Sequence, residues 1–366
     1  MRFSVAWLVI VLVAVLGCGP AEEFPTMPAS RIDLPAGAAP VVLAGHGADG
    51  LLIGVRRDQV PGLLRRAGDG AVTEIPVAPA SPYGKLALWY SIVSDGDRIV
   101  AIGGERGGAH SNVRWSVWNG TAAGLAEQPQ GFSTFGGWGA GELVDAVQTP
   151  HGPALIGSWG SASAGLDIAV WTNADTSWNR QDSAGTALQS TLDGLNFPIS
   201  ATALDQGVLI AGWRLTPAGQ PAAVWRSGSG VTGWTVAELP GAGRVNAALA
   251  VRCWESTCGV AGRVDNRLAV WQFSGGQWTR LPDVPPAPVG DNDKVVAPVW
   301  HDGALTQVYT EGDRVWIARW DGQTWSTPRE VSGPTGRVTA AVVVGGALYL
   351  LAGPDENSQL FRLFGD

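Results

Sequence analysis

Charge, cysteine and histidine are all scarce in this chain, and each scarcity removes a class of function. Charged residues make up 15% of the 366, with 24 basic against 32 acidic and a net charge of −8. Phosphate backbones are bound by clustered Lys and Arg, so nucleic acid is excluded as a partner. The four histidines, His46, His110, His151 and His301, stand apart from one another, and there is no HExxH, no CxxC pair and no cluster of three histidines. Asp291-Asn-Asp293 alternates oxygen ligands but lacks the third ligand and the glycine of an EF-hand loop. No metal and no cofactor is expected. No apolar run reaches the ~20 residues a membrane-spanning helix needs; the longest, Val5 to Leu16, is too short.

Tryptophan and glycine, by contrast, are abundant and ordered. Of the 18 tryptophans, Trp118, Trp171, Trp225, Trp271 and Trp320 follow one another at 53, 54, 46 and 49 residues. Four are answered after a short polar turn by a second one: Trp178, Trp234, Trp278 and Trp325. The best-formed copy reads Val245-Asn-Ala-Ala-Leu-Ala-Val, Cys258-Gly-Val-Ala-Gly, Arg267-Leu-Ala-Val-Trp271 and Gly276-Gln-Trp278-Thr-Arg-Leu-Pro282. These are four short runs, of strand length, divided by turn residues. Copies recur at 88–126, 143–181, 199–240 and 295–328, and 41–76 carries the phrase with Arg66 and Val72 in the tryptophan places. The last copy, 337–364, has three strands, and Arg31-Ile-Asp-Leu-Pro35 reads as its missing fourth. Glycine, 51 of 366 against an average of about 7%, suits a chain of short strands and many turns.

A period near 50 built from such strands is the pattern of β-propeller blades. The expected fold is all-β: a seven-bladed β-propeller over 31–366, with four-stranded antiparallel blades, closed by an N-terminal strand. The phrase resembles the Trp-rich, kelch-like propeller repeats of exported bacterial proteins, and the repeated tryptophans read as blade-to-blade packing. Three histidines fall in turns after first strands and read as solvated.

Residues 1–17 read as a signal peptide, with Arg2 followed by a short apolar core. The ending Val15-Leu16-Gly17-Cys18 resembles the bacterial lipobox, which implies that Cys18 is the lipidated first residue of a mature lipoprotein. Gly19 in place of aspartate implies, by the same resemblance, the outer membrane of the cell envelope. The Pro-rich stretch 18–30 is then a flexible tether, and the lipid is the one expected attachment to a membrane. Cys253 and Cys258 flank four residues between two strand patterns, so a hairpin sets them opposite each other at disulfide distance, consistent with an oxidising compartment.

For function the sequence offers a face and no chemistry. The second-to-third-strand and fourth-to-first-strand connections emerge on one side of a propeller, and they carry Glu105, Arg106, Trp138, Trp159, Trp213, Arg214, Asp265, Glu311 and Asp313. Aromatics mixed with charges describe a site for an envelope protein or glycan; a solvated rim would have the same composition. Sialidases are the enzymatic comparison, but Trp320-Asp-Gly-Gln-Thr-Trp325 is one residue short of an Asp-box, and none of the four tyrosines stands beside a glutamate. The expectation is a non-catalytic binding or scaffold module; the rival is an exported polysaccharide hydrolase or lyase using a carboxylate pair on that face.

Overall fold

The computed structural model describes residues 26–107, 112–354 and 357–363. The signal peptide, Cys18 and His110 lie outside them. The described chain is all-β apart from a single helical turn, Phe132–Phe135, and a 3-10 turn, Gly84–Leu86. None of its helices is long and apolar enough to cross a membrane.

Successive four-stranded antiparallel meanders follow the repeat. The first sheet holds Ala39–His46, Gly50–Arg57, Val60–Arg66 and Val72–Ile75 in that order. The third runs from Ala140–Thr149 to Ser177–Arg180, the fourth from Leu195–Leu204 to Thr235–Glu238, and the fifth from Asn246–Trp254 to Gln277–Arg280. In the second, Leu88–Asp95 to Gly124–Glu127, a fifth short strand, Val77–Ala78, pairs parallel on the outer edge. The remaining strands form one eight-stranded sheet, four strands from 299–335 and three from 337–363, with the N-terminal strand Thr26–Ile32 between them as the fourth strand of the second half.

That strand supplies the closure expected from the sequence, at a different place. Ala29–Ile32 pairs antiparallel with Leu360–Leu363, and Thr26–Pro28 pairs parallel with Glu330–Ser332. The expected strand over 31–35 is therefore shifted toward the N-terminus, and the expected tether over 18–30 loses residues 26–30 to the sheet. The Leu-Pro endings explain the offset: Leu281-Pro282 likewise follows the fourth strand Gln277–Arg280 instead of belonging to it. One strand saturates two edges that would otherwise present unpaired backbone groups.

The core lies between sheets. Each third-strand tryptophan reaches back to the preceding sheet: Trp118 onto Leu52 and Leu63, Trp171 onto Ile102 and Val117, Trp225 onto Ile156 and Val170, Trp271 onto Leu209 and Val224, Trp320 onto Val270. Leu363 takes the equivalent place against Val308 and Ile317. In the first sheet Arg66 does so, donating to the Tyr349 hydroxyl at 2.9 Å with its guanidinium 5.5 Å from the ring centroid. A further cluster joins Leu43 and Ile53 to Val342 and Leu351, so the succession returns to its start. Indole N–H groups tie the same interfaces, from Trp171 to the Thr134 carbonyl and from Trp271 to that of Pro240.

The innermost strands carry a repeated bulge, seen as a register shift between Trp89 and Ser91, Leu143 and Asp145, Pro198 and Ser200, and Ala248 and Ala250. Opposite it stands a glycine because the bulged backbone comes too close for a side chain: a Cβ at Gly157, Gly212 or Gly262 would lie 2.3, 2.0 or 2.0 Å from the Glu142, Phe197 or Ala247 carbonyl oxygen. The bulge aims the next side chain at the neighbouring sheet. Ser91 accepts from the Ala146 amide, Asp145 from that of Ala201, and Ser200 from that of Val251. A belt of hydrogen bonds thus crosses four successive sheets around the axis.

Two histidines depart from the solvated reading. His46 and His301 are buried, bonded to Ser94 Oγ at 2.7 Å and the Gly346 carbonyl at 3.2 Å in the next sheet round the ring. His151 is exposed and reaches Ser229 Oγ at 3.1 Å. All three are contacts between neighbouring sheets.

Candidate binding face

The loop between the second and third sheets builds the most aromatic part of the expected face. Gly136, Gly137 and Gly139 bracket Trp138, the last two with φ of +92° and +89°, a left-handed backbone that favours glycine. The loop thereby lifts Trp138 clear of the protein. Its side chain is 100% exposed, and Phe132 nearby is 63% exposed. Exposed singly these would be unremarkable; here they rim a cavity of about 380 Å³, lined also by Arg106, Arg114, Trp115, Phe135 and Glu142. A second cavity of about 400 Å³ shares Arg114, Trp115, Phe132 and Phe135 and extends to Tyr83, Glu127 and Gln130.

Stacking holds this wall in shape. The Arg114 guanidinium lies 4.9 Å from the Phe132 ring centroid, and Tyr90 meets Trp115 edge to face at 4.8 Å. Burial pushes the Tyr90 phenol above its ordinary value; Arg106 pulls it down, while Glu142 and Glu105 push it up. Those charges therefore converge on Tyr90. Inside the second cavity Glu127 accepts from the Ala80 and Ser81 amides, both at 2.7 Å, and from Ser81 Oγ at 2.6 Å. It is a loop anchor with its lone pairs largely used.

The nine residues singled out from sequence do not gather in one groove. Arg106 and Trp138 line the first cavity together, and Glu105 is close enough to act on Tyr90. Trp159 lies beneath the glycine loop, half-buried, edge to face with Trp171 at 6.3 Å and under the Arg180 guanidinium. Trp213 is stacked flat on Phe197 at 3.8 Å, and Arg214 bonds Asn196 and Glu238. Asp265 accepts from the Arg244 and Val245 amides and so holds a turn. Glu311 and Asp313 are exposed on either side of Gly312, at the edge of a separate cavity of about 210 Å³ between the fifth sheet and the 299–335 half. Arg114, Trp115, Tyr90 and Glu142 were missed, since strand residues of this kind are indistinguishable in sequence from packing positions.

Cys253 and Cys258 face each other in register and form a disulfide, with S–S 2.01 Å and Cα–Cα 4.0 Å. Among the described residues no group of three or more His, Cys, Asp or Glu side chains could hold a metal ion.

No protein-family model matches the chain, and no curated protein matches it. Solved structures do. The β-propeller domain of the Trilobed protease from Pyrococcus furiosus is similar with a TM-score of 0.55 at 9% identity, over 90% of this chain and 96% of that one. A chain of a mitotic checkpoint complex gives 0.56 at 14% identity over 100% of both. YCF48 bound to a D1 peptide gives 0.56 at 12% identity, over 94% of this chain and 100% of that one. Identities this low carry the fold alone, and the fold is that of a β-propeller.

Proposed function

We propose that this chain is an exported, lipid-anchored envelope protein whose propeller captures a protein or peptide segment in the aromatic groove between the second and third sheets, without catalysis. The observation that carries this reading is Trp138, held fully in solvent by its glycine loop beside Phe132, Arg106 and Arg114. Trp and Arg are the side chains that dominate binding energy at protein interfaces. A propeller of the same fold has been solved with a peptide bound. The two halves of the eight-stranded sheet count as two blades, so the ring is read as seven-bladed; the run of clusters between successive sheets supports that count.

Among the described residues, each of the two grooves is lined by a single carboxylate, Glu142 or Glu127. A glycosidase needs a pair flanking the bond, and Glu127 is already occupied by three donors, which favours binding over the hydrolase reading. The test is capture of envelope-derived peptides and glycans by the full chain and its Trp138→Ala variant. Capture of a peptide, weakened about tenfold or more in the variant at unchanged melting temperature, is expected. Preferential capture of glycans, or turnover of a polysaccharide, would replace the reading.

A further inference from the structure

The innermost strands enclose an axial cavity of about 660 Å³. Its wall mixes aliphatic residues, from Val42 and Ile92 to Val251, Val296 and Val342, with serines and threonines such as Ser200 and Thr339, and two charged residues line it, Asp145 and Arg252. Their situations differ. Asp145 accepts from Ser91 Oγ at 2.5 Å, the Ala201 amide at 3.0 Å and Ser200 Oγ at 3.5 Å, so both its oxygens serve the belt around the axis. Arg252 has five N–H donors, and none of the described residues accepts a hydrogen bond from them. Burial draws its pKa down to about 10, with the Asp145 charge acting in the opposite direction. The guanidinium thus presents an unused fork of donors to the axial cavity.

Two residues along the same strand, and so on the same side of it, Trp254 lines the cavity too. Trp300 joins it there, the two rings 6.2 Å apart and inclined at 49°, with Trp300 partly open to solvent. Between Arg252 and Trp254 sits Cys253, bonded to Cys258 directly across the hairpin. A loop this short contributes only about 2 kcal/mol by restricting the unfolded chain. Its main effect is local: it locks the hairpin that carries both cavity residues.

We propose that the axial cavity binds a small aromatic carboxylate, its carboxylate held in the Arg252 fork and its ring against Trp254 and Trp300, with the disulfide keeping Arg252 and Trp254 in register. Guanidinium and carboxylate match as a bidentate pair, and the aliphatic residues among the lining accept the body of the ligand. This site shares no lining residue with the aromatic groove proposed above, and meets it only where Tyr90 packs on Trp115.

The probe is benzoate, titrated into the full chain by calorimetry, with benzamide as the uncharged analogue and inorganic phosphate as an anion without a ring. Saturable benzoate binding below about 10 mM is expected for a ligand of about nine heavy atoms. Arg252→Met and Trp254→Ala should each weaken it tenfold or more, and Asp145→Asn should strengthen it by removing the one opposing charge. Reduction of the disulfide should weaken it several-fold with little change in melting temperature. Absence of saturation, benzamide or phosphate binding as well as benzoate, or affinity unchanged in Arg252→Met would overturn the proposal. Should that variant not fold, the Arg252 Nε–Hε resonance of the native protein decides: it shifts with benzoate, or the proposal fails.

Discussion

At the scale of single residues, the equivalent tryptophans are alike in burial and unlike in hydrogen bonding. Trp225 and Trp271 are both completely buried, but the Trp271 indole donates to Pro240 at 2.7 Å while that of Trp225 has no partner among the described residues. Truncation of either to alanine should cost roughly 3–5 kcal/mol. Substitution by phenylalanine should separate them, Trp271→Phe costing about 1 kcal/mol more than Trp225→Phe because only the former abandons a hydrogen bond. Denaturant melts of the four variants check this; equal costs for the two phenylalanine variants would contradict it. Asp145 offers a second measurement. Burial, opposed by its hydrogen bonds to Ser91, Ala201 and Ser200, raises its pKa from 3.8 to about 6. A carboxyl whose folded pKa is raised destabilises the fold fully above that value, and the penalty is relieved as pH falls from about 6 toward 4. A rise of that size amounts to about 3 kcal/mol. Relative to Asp145→Asn, the native protein should therefore gain stability as pH is lowered through that window, and parallel curves for the two would show that the carboxyl is not so perturbed.

At the scale of elements, Thr26–Ile32 has an effect out of proportion to its length. It hydrogen-bonds to both Gln359–Leu363 and Arg329–Thr335 and buries Met27 in the cluster between their two halves of the sheet. Deleting residues 26–32 exposes two edges and opens that cluster, so the whole ring should melt at lower temperature with reduced cooperativity, whereas deleting 19–25 should be close to neutral. Differential scanning calorimetry of the two deletions distinguishes them, and equal melting temperatures would remove the closing role of the strand. The sequence allowed the existence of this strand to be read, from a last copy one strand short. Its register was out of reach: composition matches a Leu-Pro ending, while pairing depends on which edges the completed ring leaves open.

For the whole molecule, stability is spread over many similar interfaces between neighbouring sheets, so the ring resists local loss and depends on closure. What ties it to a membrane, on the lipoprotein reading, is a single thioether. Cys18→Ser should release the protein from the membrane fraction and abolish incorporation of labelled fatty acid, with the melting transition of the propeller unchanged. Retention in the membrane after that substitution would mean that the lipobox reading is wrong.

The architecture was legible because it repeats: a tryptophan every 50 residues or so marks the same packing position each time, and even Arg66, standing in that series, fills the same gap against the preceding sheet. The cysteine pair was legible because a four-residue loop leaves it little freedom. The site was not. Nine loop residues share a face by topology alone, and only folding separates Trp138, held in solvent, from Trp213, stacked on Phe197, and from Trp159, half-buried under the same glycine loop. The belt through Ser91, Asp145 and Ser200 depends on backbone bulges that leave no mark beyond the glycine opposite them. Short-range pattern determines strands and their order because burial has a period that sequence displays; which polar and aromatic groups meet is decided by contacts among residues some 50 positions apart, and those exist only once the ring has closed.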